Sequence, residues 1–185
     1  MLFFWRRKPE VEPEVVAPPP SPPVKKGRAQ PGDRLLRPPG ALPEPGLLAA
    51  CTRCGDCVDA CQVNAIFLLP EAFGALAGSP AIAPRKFPCY SKADTPCITA
   101  CKTGALTAGP IRLGTAAVDP ARCVTYHGES CDRCVSMCPV PGALVSDGGR
   151  PRVDATLCTG CGLCEHVCPT DEAAITVTPA RLLSG

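Results

Sequence analysis

Two stretches of this sequence carry four cysteines at fixed intervals. Cys158, Cys161, Cys164 and Cys168 follow C-x2-C-x2-C-x3-C and run into Pro169, and Cys51, Cys54, Cys57 and Cys61 repeat the spacing with Gln62 after them. That spacing holds cubane iron–sulfur clusters. Three thiolates at i, i+3 and i+6 wrap a loop around one cubane, each on a different iron. The fourth follows the third by four residues, on a helical turn that points away. It therefore completes a neighbouring cluster, so such motifs work in pairs. Gly55, Gly160 and Gly162 let the backbone approach the inorganic sulfides, where N–H groups can bond to them.

Two further groups are less regular. Cys123, Cys131, Cys134 and Cys138-Pro139 keep the C-x2-C-x3-C-P ending after a longer first gap, "VTYHGES". An insertion between the first two ligands is tolerable if the loop closes back. The stretch "CYSKADTPCITAC" has only Cys89, Cys97 and Cys101, with Lys92 where a fourth cysteine is expected. A protonated ammonium has no lone pair to give and repels iron. Asp94 or Ser91 offers oxygen from the same loop. The expected cofactors are three [4Fe-4S] clusters and one three-thiolate cluster, either [3Fe-4S] or a [4Fe-4S] that loses iron readily. Structural zinc needs only two separated C-x2-C pairs and does not account for the third cysteine. His127 and His166 replace no missing thiolate and read as surface or packing residues.

The elements that must position these thiolates are short. Four repeats, 51–66, 89–106, 123–144 and 158–175, each read as a cysteine loop, a helical turn and a short strand. "AIFLL" and "AITVT" have the apolar and β-branched character of such strands. Residues 9–45 hold twelve of the 24 prolines, so residues 1–45 are expected to form a disordered tail and 46–185 the four-motif domain. Fifteen cysteines in 185 residues with no recognisable export signal point to the cytoplasm, where thiols stay reduced. Aromatic residues are few, so bound metal must supply part of the folding free energy. Eight Lys/Arg stand against four Asp/Glu in residues 1–40 and eleven against thirteen beyond, which leaves no nucleic-acid footprint. The tip "LFFW" before "RRK" offers at most a weak peripheral membrane contact.

The order and spacing of the four unequal motifs, together with "LRPPGAL", "CTRCGDCVDAC" and "CTGCGLCEHVC", carry a resemblance. Over roughly residues 35–178 the sequence resembles the ferredoxin-type polyferredoxins of the NapG and MauM kind. These are the proteins of periplasmic nitrate reductase and methylamine dehydrogenase operons. "CTRC" and the third motif's insertion also resemble the cytoplasmic NapF type. The resemblance implies an α+β fold of two packed ferredoxin modules holding up to four [4Fe-4S] clusters. It also implies electron transfer toward a molybdoenzyme, or a part in its assembly. The chain departs from the NapG pattern at Lys92 and in lacking a twin-arginine signal. Adjacent pairing (first motif with second, third with fourth) and nested pairing (first with fourth, second with third) both satisfy the ligand rule. The "PC…TPC" form of the second motif resembles molybdoenzyme electron-transfer subunits, which implies nesting. Cys138 would then complete the deficient set, whereas adjacent pairing assigns Cys61.

No paired carboxylates, nucleophile–base set or phosphate loop is present, so the expected role is an electron carrier working with a redox protein or enzyme. The alternative is an assembly or maturation factor for a metalloenzyme.

Overall fold

A computed structural model describes residues 29–90 and 94–180. Expectations for the N-terminal 28 residues, including the "LFFW" tip, and for Ser91 and Lys92 lie outside the described residues.

The chain is built as two halves on one plan. In the first, α1 (Glu44–Ala50) leads into the first cysteine loop and α2 (Asp56–Asp59). A short hairpin follows, β1 (Ile66–Leu68) and β2 (Pro80–Ile82), with Ile66 opposite Ile82. A 3-10 helix, Glu71–Leu76, connects its strands. The second cysteine motif then places α3 (Pro96–Ala100), and Leu106 returns to bridge Ala41. In the second half, β3 (Gly114–Val118) precedes the third motif and α4 (Arg133–Ser136). The hairpin β4 (Leu144–Asp147) and β5 (Arg150–Val153) follows, then α5 (Leu163–Val167) and β6 (Ile175–Pro179). β6 pairs antiparallel with β3 from Gly114↔Pro179 to Val118↔Ile175. Each half thus has a central hairpin between its two cysteine loops, and its last strand returns to its first. In the first half that return pairing has shrunk to the single Ala41–Leu106 bridge.

Helices of four to seven residues are too short to stand alone in water. They persist because their apolar faces and cysteines pack into one core. Leu36, Leu47, Val58, Ile66 and Ile82 of the first half share it with Leu144, Ile175 and Val177 of the second. A smaller cluster gathers Leu35, Phe67, Leu69 and Leu76 under the first hairpin.

The expected tail to residue 45 is corrected here for its last part. Residues 29–45 pack as an extended arm: Leu36 exchanges main-chain hydrogen bonds with Ile82, at 2.8 and 2.9 Å, and is fully buried. The prolines did not exclude this because they lie at places where no ladder N–H is required, and Leu35, Leu36 and Ala41 supply the apolar contacts. Arg37 fixes the arm. Its buried guanidinium forms a two-pronged ion pair with Glu44. It also donates to Ser79 Oγ at 2.9 Å and to the Pro80 carbonyl at 2.7 Å.

Candidate metal centre

The fifteen cysteines converge on four cavities. Site I is lined by Cys51, Cys54, Cys57 and Cys101. Cys61, Cys89 and Cys97 line site II. Site III takes Cys138, Cys158, Cys161 and Cys164, and site IV takes Cys123, Cys131, Cys134 and Cys168. In every set the outlying cysteine comes from the other motif of the same half. Pairing is therefore adjacent, and the nested arrangement is corrected: Cys61, not Cys138, joins the deficient set. The reason is topological. Each half closes its own strands, Ala41 on Leu106 and β3 on β6, and so brings its own two motifs face to face. The helices pack accordingly, α2 on α3 and α4 on α5.

The donor sets suit a sulfide-bridged cluster. Main-chain N–H groups already point at the sulfurs: Ala65 to Cys61 at 3.2 Å, Leu106 to Cys101 at 3.3 Å, Ala116 to Cys158 at 3.4 Å and Ala174 to Cys168 at 3.3 Å. Such N–H···S bonds favour thiolate and tune a bound cluster. Three of these donors, Ala65, Leu106 and Ala174, lie four to six residues after the outlying cysteine that each one bonds. The spacing alone does not reveal them. The Thr159 hydroxyl is buried in the wall of site III, near Cys161, without a partner at hydrogen-bonding geometry among the described residues. A cluster sulfide would satisfy it.

Electrostatics divide the thiols by position. Burial pushes the Cys57 thiol up to about 12, and the thiolates of Cys51, Cys54, Cys97 and Cys101 add to this. Burial likewise pushes Cys97 up, reinforced by Cys61, and Cys134 up, reinforced by Cys123 and Cys131, each to about 11. At Cys101 and Cys168 burial also opposes the thiolate. There the hydrogen bonds from Leu106 and Thr103, and from Thr170 and Ala174, together outweigh it and hold both below the ordinary thiol value. Metal binding must therefore displace protons from the buried Cys57, Cys97 and Cys134, and meets less resistance at Cys101 and Cys168.

Neither histidine lines any of the four sites. His127 Nε2 lies 3.0 Å from the Ala121 carbonyl and His166 Nδ1 2.9 Å from that of Arg85. Asp94 is exposed, and its charge acts on Cys97. Arg85 is a residue that spacing gave no reason to single out. Its guanidinium donates to the carbonyls of Glu165 at 2.6 Å, Cys168 at 2.9 Å and Thr170 at 2.8 Å, capping the end of α5. Arg85→Ala should cost about 1.5–3 kcal/mol, the range for hydrogen bonds to a charged group. In thermal bleaching of the holo-protein, site IV, which contains Cys168, should be released first.

Gly160 and Gly162 also have a steric role. Both have positive φ, at +70° and +85°; a Cβ at Gly160 would strike the Gly114 backbone and one at Gly162 would strike Pro84. Gly160→Ala should destabilise the second half by about 1–3 kcal/mol, through αL strain and the forced displacement of β3, read as a lower midpoint in denaturant.

Duplicated modules of short helices and strands, each enclosing two cysteine-lined cavities, define a ferredoxin-type iron–sulfur protein. The 4Fe-4S binding domain family matches residues 48–67 and 151–171, the first and last motifs. The methylamine utilization ferredoxin-type protein MauM of Paracoccus denitrificans is 44% identical over 164 residues, covering 80% of this chain and 73% of the relative. Ferredoxin-type protein NapG of Escherichia coli is 38% identical over 168 residues, covering 81% and 73%. NapF of the same organism is more distant, at 29% over 161 residues. The chain belongs to the MauM/NapG family of ferredoxin-type proteins, and its role is iron–sulfur electron transfer rather than substrate conversion.

Proposed function

We propose that this protein relays single electrons through four cluster sites to or from a redox enzyme. The carrying observation is the sorting of all fifteen cysteines into three four-thiolate sets and one three-thiolate set. When bound, the clusters supply one-electron storage without bond making or breaking. The protein's part is to hold them in apolar walls, donate N–H groups to their sulfur ligands and limit water. Sites I, III and IV have the ligands for [4Fe-4S]. Site II, with Cys61, Cys89 and Cys97, suits [3Fe-4S] or a [4Fe-4S] with one exchangeable iron. The process in MauM's name, methylamine utilization, and the resemblance to the NapG type of nitrate reductase operons support an amine- or nitrate-metabolising enzyme as the class of partner. A molybdoenzyme is included in that class. A cytoplasmic site of action is part of this proposal, since fifteen cysteines in 185 residues suit a compartment where thiols stay reduced. Among the described residues no helix is long and apolar enough to cross a membrane.

The three-thiolate site also favours a second reading, a factor that assembles or matures the partner enzyme. A relay-deficient strain should accumulate mature but unreduced partner enzyme, and an assembly-deficient strain should lack cofactor-loaded enzyme. For the relay itself, anaerobically purified protein is expected to show a near-isotropic EPR signal when oxidised, integrating to about one spin per chain for a single [3Fe-4S] centre. No oxidised signal, with an iron content matching only three clusters, would leave site II empty and refute its proposed occupancy.

A further inference from the structure

The two halves meet at their inner cysteines. The Cys89 N–H donates to the Cys161 carbonyl at 2.9 Å, and these residues belong to sites II and III. Beside this bond Gly162 lies against Pro84 so closely that no Cβ fits between them. Arg85 extends the seam onto the carbonyls after α5. Within each half α2 packs on α3 and α4 on α5, so site I abuts site II and site III abuts site IV. Burial follows the same order. All three thiols of site II are buried, as are Cys161 and Cys164 of site III. Site I contains the exposed Cys54, and every cysteine of site IV is half-exposed.

We infer that the four sites form a line, I–II–III–IV, with the three-thiolate site as an inner station and the Cys89–Cys161 hydrogen bond as the junction that couples the halves. This inference rests on the proposed occupancy of site II. The route across the seam is short and covalent but for one hydrogen bond: Sγ, Cβ, Cα and N–H of Cys89, then C=O, Cα, Cβ and Sγ of Cys161. The ligand set that departs from the family pattern therefore stands between two complete ones. The outer sites, I and IV, are the ones a partner protein can approach.

The test uses the full-length holo-protein, with iron and sulfide counted for every variant. The sample is poised so that site II is in a paramagnetic state with its neighbours reduced, and the microwave power that half-saturates its EPR signal is measured. The double variant Cys54→Ala, Cys57→Ala leaves site I two thiols and empties it, and Cys158→Ala, Cys164→Ala does the same to site III; each should lower that power several-fold. Cys131→Ala, Cys134→Ala, which empties site IV, should leave it unchanged. Gly162→Ala retains all fifteen thiols and wedges the seam against Pro84; it should weaken the contribution of site III at unchanged iron content. A site II signal that responds to site I alone, or to site IV, overturns the linear order and leaves the occupancy of site II standing. An iron count showing site II empty in the unaltered protein overturns both.

Discussion

Glu44→Ala should destabilise the protein by about 3–5 kcal/mol, because it leaves the Arg37 guanidinium buried without its counter-charge. Ser79 and the Pro80 carbonyl can satisfy two of the remaining donors, but neither carries charge. The arm 29–43 is held by this network, by the Leu36–Ile82 hydrogen bonds and by the Ala41–Leu106 bridge. Loosening it exposes Leu35 and Leu36 and opens the roof of site II, whose wall includes Pro39. Cluster loss makes unfolding irreversible, so the measurement is the rate of bleaching in mild denaturant. An effect of this size corresponds to at least a hundredfold faster bleaching if it appears fully in the unfolding rate. The double variant Arg37→Met, Glu44→Leu replaces both charges with apolar groups and should bleach far more slowly than Glu44→Ala. Equal rates for the two variants would show that the pair is not buried as described.

Cys101→Ala and Cys138→Ala separate the two pairing schemes by which cluster each one disrupts. Cys101 lies in the second motif but lines site I. Its loss should convert a complete set into a three-thiolate set, with a new oxidised EPR signal or the loss of about one iron. Cys138→Ala should act on site III and leave the site II signal intact. Under nested pairing Cys138→Ala would instead abolish the site II signal. Cys61→Ala is the complementary variant. It leaves site II with two thiols and should empty it, lowering the iron count without disturbing the other three sites. Iron analysis and EPR on the same preparations read all three outcomes.

Most of the ligand chemistry was legible in the sequence because it is local. A run such as Cys158, Cys161, Cys164 fixes three donors around one centre through the pitch of a single loop. Pairing is not local. Whether Cys61 meets the second motif or another depends on which strands close, and that rests on the Ala41–Leu106 bridge and the β3–β6 ladder, which join residues 57 to 65 positions apart. No spacing rule carries that information, and the resemblance of one motif to nested proteins pointed the other way. The arm was hidden for a different reason. Its prolines give the composition of an unfolded segment, while its burial depends on a few residues, Leu35, Leu36, Arg37 and Ala41, whose partners lie far along the chain. Arg85 was unremarkable in sequence for the same cause, since everything it touches is about eighty residues away.

The β3–β6 ladder sets Gly114 beside Pro179, and in the first half Ala41 sits beside Leu106. Each half therefore starts and finishes at one place. A polypeptide with that property behaves as a cassette: a copy can be spliced before or after it without stretching either, because the incoming chain leaves where it entered. The few residues between Leu106 and Gly114 make the covalent link of the present pair, and the shared core and the Cys89–Cys161 hydrogen bond complete the joint. Duplication of an ancestral two-cluster gene would need no new architecture within either half. Divergence of one copy, down to the loss of a thiolate, could then proceed while the other retained its full complement.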